Sequence, residues 1–572
     1  MNKKKIVLAD IAEKSGLFIV CFMSAAIAFW LTAASMLHTA TVANVSESEA
    51  VASSLRYFIQ NIESVLYYDD NFFMNIIILL ISAAALYFVS KKLSWIRLRY
   101  KLLFIFIWTA ALGTIWVISS QSSPTFDSEM LFNSAKQFAD NDYSILTGTE
   151  RYFKDYSFQL GYAFFCEILM RIFGIPEKAL PFEVLNAFFL AGINVLIVLI
   201  SNITLKDKRI TTAVTLLLAL SCAPIISCSF VYGILPGMFF ALASLFFELR
   251  YLMDNKKISA VLSVICILIA VMIKSNYFIW LIAISLIAIV MLFKRKKYIF
   301  DCIYISAAVI LSLSVQPCVK SMYESRSNTD LGDAIPYTSW IAMGFSEAAS
   351  APGWYNYYLT TTNFENCGYD AAKAGEASRE TIKERLKTFI KDPQYANDFF
   401  YKKTMSQWNE TSYESIWNNT IRGQYKDKNR FAAWVCGDGV KKTKKYIDLW
   451  TQLMFASFTA GIIAIFRKKN FPACSLAVVF LGGFLYQLIS EGKSQYIIPY
   501  IIVMTGIAGY GVIVIGGMLG SAFRKYRSKK AEAAVSAADV ESTAAEEIKP
   551  AEKEADTKPQ KSKKSEKKHK KK

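Results

Sequence analysis

Apolar runs of about 20 residues recur along this chain, and they limit its fold more severely than any other feature. A run of that length spans the hydrocarbon core of a bilayer as an α-helix, the one single-segment structure that satisfies its own backbone polar groups there. Such runs cover residues 16–36, 72–90 and 102–120, then about 158–174, 183–203, 210–229, 232–249, 258–273, 276–293 and 299–317. After a long polar insert come 448–466, 471–489 and 495–519. With 54% hydrophobic residues in 572, the composition is too apolar for a soluble chain of this size. The fold class expected is an all-α polytopic membrane protein.

The formal net charge of +18 does not point to nucleic acid. The basic residues sit in short loops and in a C-terminal tail, where membrane topology and anionic lipid explain them. Clusters at Lys91–Lys101, Lys206–Arg209, Arg250–Lys257, Lys294–Lys297, Arg467–Lys469 and Arg524–Lys530 place those connections in the cytoplasm. The intervening turns then fall outside: the loop after residue 120, the turns at 231–237 and 274–276, the insert, and Glu491–Tyr496. Ala40–Ala43 is only faintly like a cleavage site, and the first run exceeds a signal peptide's apolar core, so it is expected to stay as a span. Thirteen apolar segments conflict with two cytoplasmic termini, which require an even number of crossings. The conflict localises to 158–203, and 158–174, short and carrying Glu167 and Arg171, is expected to be incomplete or re-entrant.

Two histidines, His38 and His569, argue against histidine-based catalysis and His-rich metal sites. Acids without histidines are compatible with a divalent cation on oxygen ligands and do not require one. The ten cysteines contain no CxxC, and most lie in apolar runs as small core residues. Cys367 and Cys436 lie in the insert, where a disulfide between them is open. No Walker A loop or GxGxxG is present, so a nucleotide-driven reaction is not expected.

Residues 120–162 carry the clearest chemical signal. Asp127 and Glu129 follow the third span by a few residues, and 131–138 reads as an amphipathic helix lying on the membrane. Ordinary helix N-terminal acids would look the same, so convergence matters. Topology alone gathers on one face Asp127, Glu129, Arg151, Lys154, Asp155, Gln159, Tyr232, Lys274, Glu491, Lys493 and Tyr496. A carboxylate there can act as general base towards an acceptor hydroxyl, while Lys or Arg holds a phosphate leaving group. Lys274 between nearly uncharged spans otherwise reads as a snorkelling lysine, and Glu491 with Lys493 as a surface ion pair.

The insert, about 319–446, is too long for a plain loop. Asp370–Ile390 reads as an amphipathic helix stopped near Pro393, and dense Tyr and Trp on either side suit a cap at the membrane interface. The tail from about 528, rich in Ala, Lys, Glu and Ser, is expected to be disordered on anionic lipid.

Several stretches resemble a known family: Phe126-Asp127-Ser128-Glu129, Tyr156–Tyr162, Phe230–Gly233, Ile273–Tyr277, Phe400–Asn409 and Gly483–Tyr496. Over about residues 100–520 the chain resembles GT-C fold glycosyltransferases of the protein-mannosyltransferase-like superfamily, in the branch of Gram-positive bacteria. The resemblance implies a GT-C-like bundle of about 12–13 transmembrane helices with an α-rich extracytoplasmic insert. It implies inverting transfer of a sugar from a polyprenyl-phosphate donor, on the outer face of the cell membrane, to a glycan, lipid or protein acceptor of the envelope. Asp127, with Glu129 beside it, takes the catalytic position. Arg151, Lys154, Gln159, Tyr232, Lys274, Glu491, Lys493 and Tyr496 take substrate-binding positions. The family's usual Tyr-Pro-His-Gln is Tyr156-Ser157-Phe158-Gln159 here, and its Trp-Glu-Ala-Lys is Ser490-Glu491-Gly492-Lys493, departures that touch substrate contacts. The expected division is an N-terminal helical pair (1–101), a core with the first external loop (102–318), the insert (319–446), C-terminal spans (447–523) and the tail (524–572). The alternative is a non-catalytic flippase or exporter of lipid-linked saccharide, which would show broken or charged helices near the midplane.

Overall fold

A computed structural model of the protein describes residues 3–44, 63–292, 298–421 and 429–546. The chain divides into two units, Met1–Gly517 and Met518–Lys572. The first opens with α1 (Lys3–Leu37), runs through β1 (His38–Asn44) and β2 (Glu63–Asp69), and re-enters the apolar bundle as α2 (Phe72–Lys92). Then follow α3 (Leu98–Ser120), α4 (Asp127–Ala139), α5 (Leu160–Phe173), α6 (Leu180–Leu205), α7 (Lys208–Ala219), α8 (Ile234–Asp254), α9 (Lys257–Ile273), α10 (Phe278–Leu292) and α11 (Tyr298–Ser327). The insert contributes α12 (Tyr337–Gly344), α13 (Ala371–Lys391) and α14 (Pro393–Trp408). The chain ends its described part with α15 (Val440–Lys468), α16 (Ser475–Ile489) and α17 (Ile498–Glu546). Single helical turns between these are left unnumbered.

Among the described residues, nine helices are long and apolar enough to cross a membrane, so this is a polytopic, predominantly α-helical membrane protein. A tenth span arises if α7 and the short helix after it, bent by 48°, count as one. Two further apolar helices, Lys257–Ile273 and Ser275–Met291, are shorter than that. α5 is shorter still. Its 14 residues rise about 21 Å, short of the ~30 Å hydrocarbon core. Its charges are spoken for: Glu167 is 1% exposed and its Oε1 accepts from Arg171 Nε at 2.7 Å and Arg326 Nη1 at 3.0 Å. α5 packs along α4 and α11.

Two boundaries differ from the sequence expectation, and the polar stretch after the first span carries regular structure. β1 and β2 pair antiparallel from His38 opposite Asp69 to Asn44 opposite Glu63, extending α1 and α2 beyond their apolar runs. Residues 45–62 lie outside the described part. The insert starts later than 319, because α11 continues through Pro317 to Ser327, and ends at Val440, where α15 begins. The tail expected to be disordered is helical as far as Glu546, in keeping with the high helix propensity of Ala, Glu and Lys; residues 547–572 lie outside the described part.

The predicted insert helix forms as α13. Asp370 caps it, its Oδ1 accepting from Ala372 N at 2.9 Å and Lys373 N at 3.0 Å. Cys367 sits in a small cluster with Ile335, Phe364 and Ala374, Cys436 in the main core, and both are free thiols.

Candidate active site

A cavity of about 800 Å³ opens between the span ends and the insert. Its lining draws on segments far apart in the chain: β2, the α3–α4 loop, the turn before α5, the turns before α8 and α10, the insert, and the turn between α16 and α17. That volume lies in the usual range for small-molecule sites.

The α3–α4 loop delivers Asp127. Phe126 holds φ 52° and ψ −131°, a conformation that side-chain-bearing residues rarely adopt, and its ring is 70% exposed. The turn persists because Ser128 Oγ accepts from Thr125 N at 3.1 Å and donates to Thr125 O at 2.8 Å. Asp127 starts α4 facing the cavity.

One phenol then joins three candidate groups. Gln159 Nε2 donates to Tyr232 Oη at 2.8 Å. With that lone pair engaged, the Tyr232 hydroxyl donates to Asp127 Oδ2 at 3.1 Å. On the ring face, Lys274 Nζ stands 3.7 Å from the Tyr232 centroid and 5.9 Å from that of Tyr496. Lys274 reaches this point because it interrupts the helix. It takes extended backbone (φ −154°, ψ 125°) between α9 and α10. The close approach of α5 to α9 also matters: a Cβ on Gly161 would lie 1.8 Å from Met272 O. Lys274 is 9% exposed. Burial pulls its ammonium down to about 7, against the opposing pull of Asp127 and Glu491.

The α16–α17 turn supplies Glu491, Lys493 and Tyr496. Burial raises the Glu491 carboxyl to about 7, with Lys493 acting against it. Tyr496 Oη donates to Glu491 Oε2 at 3.5 Å. Lys493 is already committed: its Nζ lies 3.3 Å from Glu63 Oε1 and 3.7 Å from Glu414 Oε2. Burial alone would lower its ammonium, but Glu63, Glu414 and Glu491 hold it above the ordinary lysine value. Glu414 sits on a buried segment where it and Tyr413 both take positive φ, 55° and 50°. Glu410 secures that segment by accepting from Glu414 N at 2.7 Å and from Ser494 Oγ at 2.9 Å.

The turn is anchored by a residue of the insert. Lys403 on α14 is 0% exposed. Its Nζ donates to Gly344 O at 2.5 Å, Ser490 O at 2.7 Å and Leu488 O at 3.1 Å. Three acceptors match the three protons of an ammonium group. Room for the lysine chain comes from Gly353 (φ 75°), where a Cβ would lie 2.7 Å from Lys403 Cε.

Seven of the expected site residues line the cavity: Asp127, Gln159, Tyr232, Lys274, Glu491, Lys493 and Tyr496. Glu129, Arg151 and Lys154 do not. Glu129, two residues beyond Asp127 on α4, is exposed. Arg151 pairs with Asp155 at 2.9 Å and stacks on Tyr369, its carbon 3.5 Å from the ring centroid. Lys154 is half-buried on the same short turn. Sequence reasoning gave no role to Glu63, Glu414 or Lys403. Lys403 lies inside the Phe400–Asn409 stretch that carries the family resemblance, which was the one available signal; Glu63 had none beyond the acidity of its segment. Among the described residues no group of three His, Cys, Asp or Glu side chains could hold a metal ion.

No protein-family model matches this chain, and no curated protein sequence matches it.

Proposed function

We propose that the protein is a membrane glycosyltransferase of GT-C type that moves a sugar from a polyprenyl-phosphate donor to a cell-envelope acceptor in this cavity, on the extracytoplasmic side. One observation carries the reading: the Tyr232 phenol presents its hydroxyl to a cavity carboxylate and its ring face to a buried ammonium. An acceptor hydroxyl beside Asp127 gives up its proton to that carboxylate as its oxygen forms a bond to the sugar's anomeric carbon. The bond from that carbon to the phosphate oxygen breaks, and the phosphate leaves with the electron pair. Lys274 meets the developing charge. It forms no ion pair among the described residues, whereas Lys493 is balanced by Glu63 and Glu414. An ammonium in a buried site stabilises a phosphate more than it does in water. Attack opposite the leaving group inverts the anomeric centre.

The carrier alternative finds its support in the 48° bend after α7. It assigns no task to a cavity acid held by a tyrosine.

Release of radiolabelled sugar from a synthetic polyprenyl-phosphate sugar, by the full chain in nanodiscs, tests the proposal. Transfer is expected for the wild type and lost in Asp127→Asn with expression intact. Equal transfer by both would remove Asp127 as the base. Failure of the wild type to bind undecaprenyl phosphate at all would remove the donor class.

A further inference from the structure

The transfer chemistry leaves one set of lining residues without a task. Tyr156 and Phe158, from the turn before α5, meet Tyr337 and Trp340 of α12 and Tyr355 and Tyr358 of the loop beyond it along the same cavity. Five of the six are linked through rings or hydroxyls, and Tyr358 lines the same cavity. Trp340 lies 5.6 Å from Phe158 at 77°, 6.3 Å from Tyr156 at 75°, and 6.0 Å from Tyr337 at 41°. Tyr156 Oη is 3.4 Å from Tyr355 Oη and 3.0 Å from Thr361 Oγ1. Tyr156, Phe158 and Trp340 are half-buried, while Tyr337, Tyr355 and Tyr358 remain 52%, 43% and 61% exposed. Asp127 lines the same cavity as these rings.

A concave aromatic wall whose outer rings, Tyr337, Tyr355 and Tyr358, are uncovered marks a binding surface, and its chemistry narrows the occupant. A polyprenyl chain would cover the rings but offer the exposed Tyr358 hydroxyl no partner in place of water, at a cost of about 1–3 kcal/mol. An anionic polymer fits worse. The cavity lining carries four carboxylates, Glu63, Asp127, Glu347 and Glu491, against two ammonium groups, Lys274 and Lys493. One of those is already paired, and the other is needed by the donor. A pyranose ring has a face of C–H groups and a rim of hydroxyls, and so meets both ring faces and phenol oxygens.

We infer that the aromatic wall around Trp340 is an acceptor subsite for an uncharged glycan, which stacks its sugar rings there and offers a hydroxyl to Asp127. This rests on the transferase reading and names its acceptor class.

Calorimetry on the full chain in nanodiscs tests it, with maltotetraose, cellotetraose and chitotetraose as probes, and poly(glycerol phosphate) and a Ser/Thr-rich peptide as other chemistries. At least one neutral tetrasaccharide is expected to bind. Tyr358→Ala and Trp340→Ala should each weaken it about tenfold or more, with Tyr358→Phe and Trp340→Phe retaining most of the affinity. Tyr358 is exposed enough that its alanine variant keeps the fold, so its result decides if Trp340→Ala is unstable. Binding of no neutral probe, unchanged affinity in Tyr358→Ala, or preference for the polyanion or the peptide would each overturn the subsite. Undecaprenyl phosphate is titrated in parallel. If it binds and no glycan does, the acceptor class alone fails; if it does not bind, the transferase reading fails.

Discussion

Replacing Lys403 by Met should leave the fold standing and loosen the site. The opposing magnitudes are large. Removing the ammonium orphans three buried carbonyls, those of Gly344, Leu488 and Ser490, at about 1–3 kcal/mol each. The substitution also relieves burial of a charge, which lowers the lysine from 10.5 to about 7. At 1.36 kcal/mol per pKa unit that strain is worth ~5 kcal/mol at most. The loss, about 3–9 kcal/mol over three carbonyls, is largely offset by that relief, as when buried charges are replaced by apolar groups of similar volume. Thermal unfolding should therefore move little. The local effect has no such offset. The α16–α17 turn loses its bonds from Leu488 O and Ser490 O, together about 3–6 kcal/mol of restraint for contacts to a charged group. It keeps the Gly492 N to Gly353 O bond at 2.7 Å. Hydrogen exchange by mass spectrometry on residues 486–500 reads this without any substrate. Exchange at Gly492 and Ser494 is expected to rise about tenfold or more, the equivalent of ~1.4 kcal/mol. Unchanged exchange would refute the anchoring role. Collapse of the whole transition would show that Lys403 holds the fold and not only the turn.

Binding of undecaprenyl phosphate should weaken as pH rises from 6 to 8.5. Lys274 loses its proton as pH rises through about 7, and Glu491 becomes charged over the same interval. Both changes oppose a phosphate; Asp127, Tyr232 and Tyr496 are the other groups that face Lys274. A flat titration would exclude Lys274 as the phosphate's partner. Fold stability has the opposite sign for Lys274: the unfolded chain holds that proton up to 10.5, so its contribution improves between about pH 7 and 10.5. Gly161→Ala places a Cβ 1.8 Å from Met272 O and should cost about 1–3 kcal/mol as α5 and α9 separate. An unshifted melting curve would contradict that close approach. Lys274→Met should abolish lipid-phosphate binding in the same calorimetric assay, while unaltered affinity would direct attention to Lys493.

What could be read from the chain alone depended on local signals. Spans declare themselves because a lipid-facing helix must be apolar along about 20 consecutive residues, and α13 declares itself by its 3.6-residue period and the Asp370 cap. Basic flanks and turn positions brought Asp127, Tyr232, Lys274 and Glu491 to one face of the membrane before any coordinates. Segment 158–174 was ambiguous for a local reason too: its charges forbid a lipid-facing span, but only the fold shows Glu167 between two arginines, one of them 159 residues away.

Tertiary structure decided the rest, because the decisive contacts join distant segments. Glu63 finds Lys493 across 430 positions, and Lys403 finds Ser490 across 87. A lysine in a polar stretch reads as exposed until three carbonyls converge on it. Composition shows that a chain is rich in tyrosine, but not that Tyr156, Trp340 and Tyr355 assemble into one wall. The apolar pattern determined that this chain lives in a membrane. Which side chains lose their water, and which charges then pair, depended on how the spans and the insert pack.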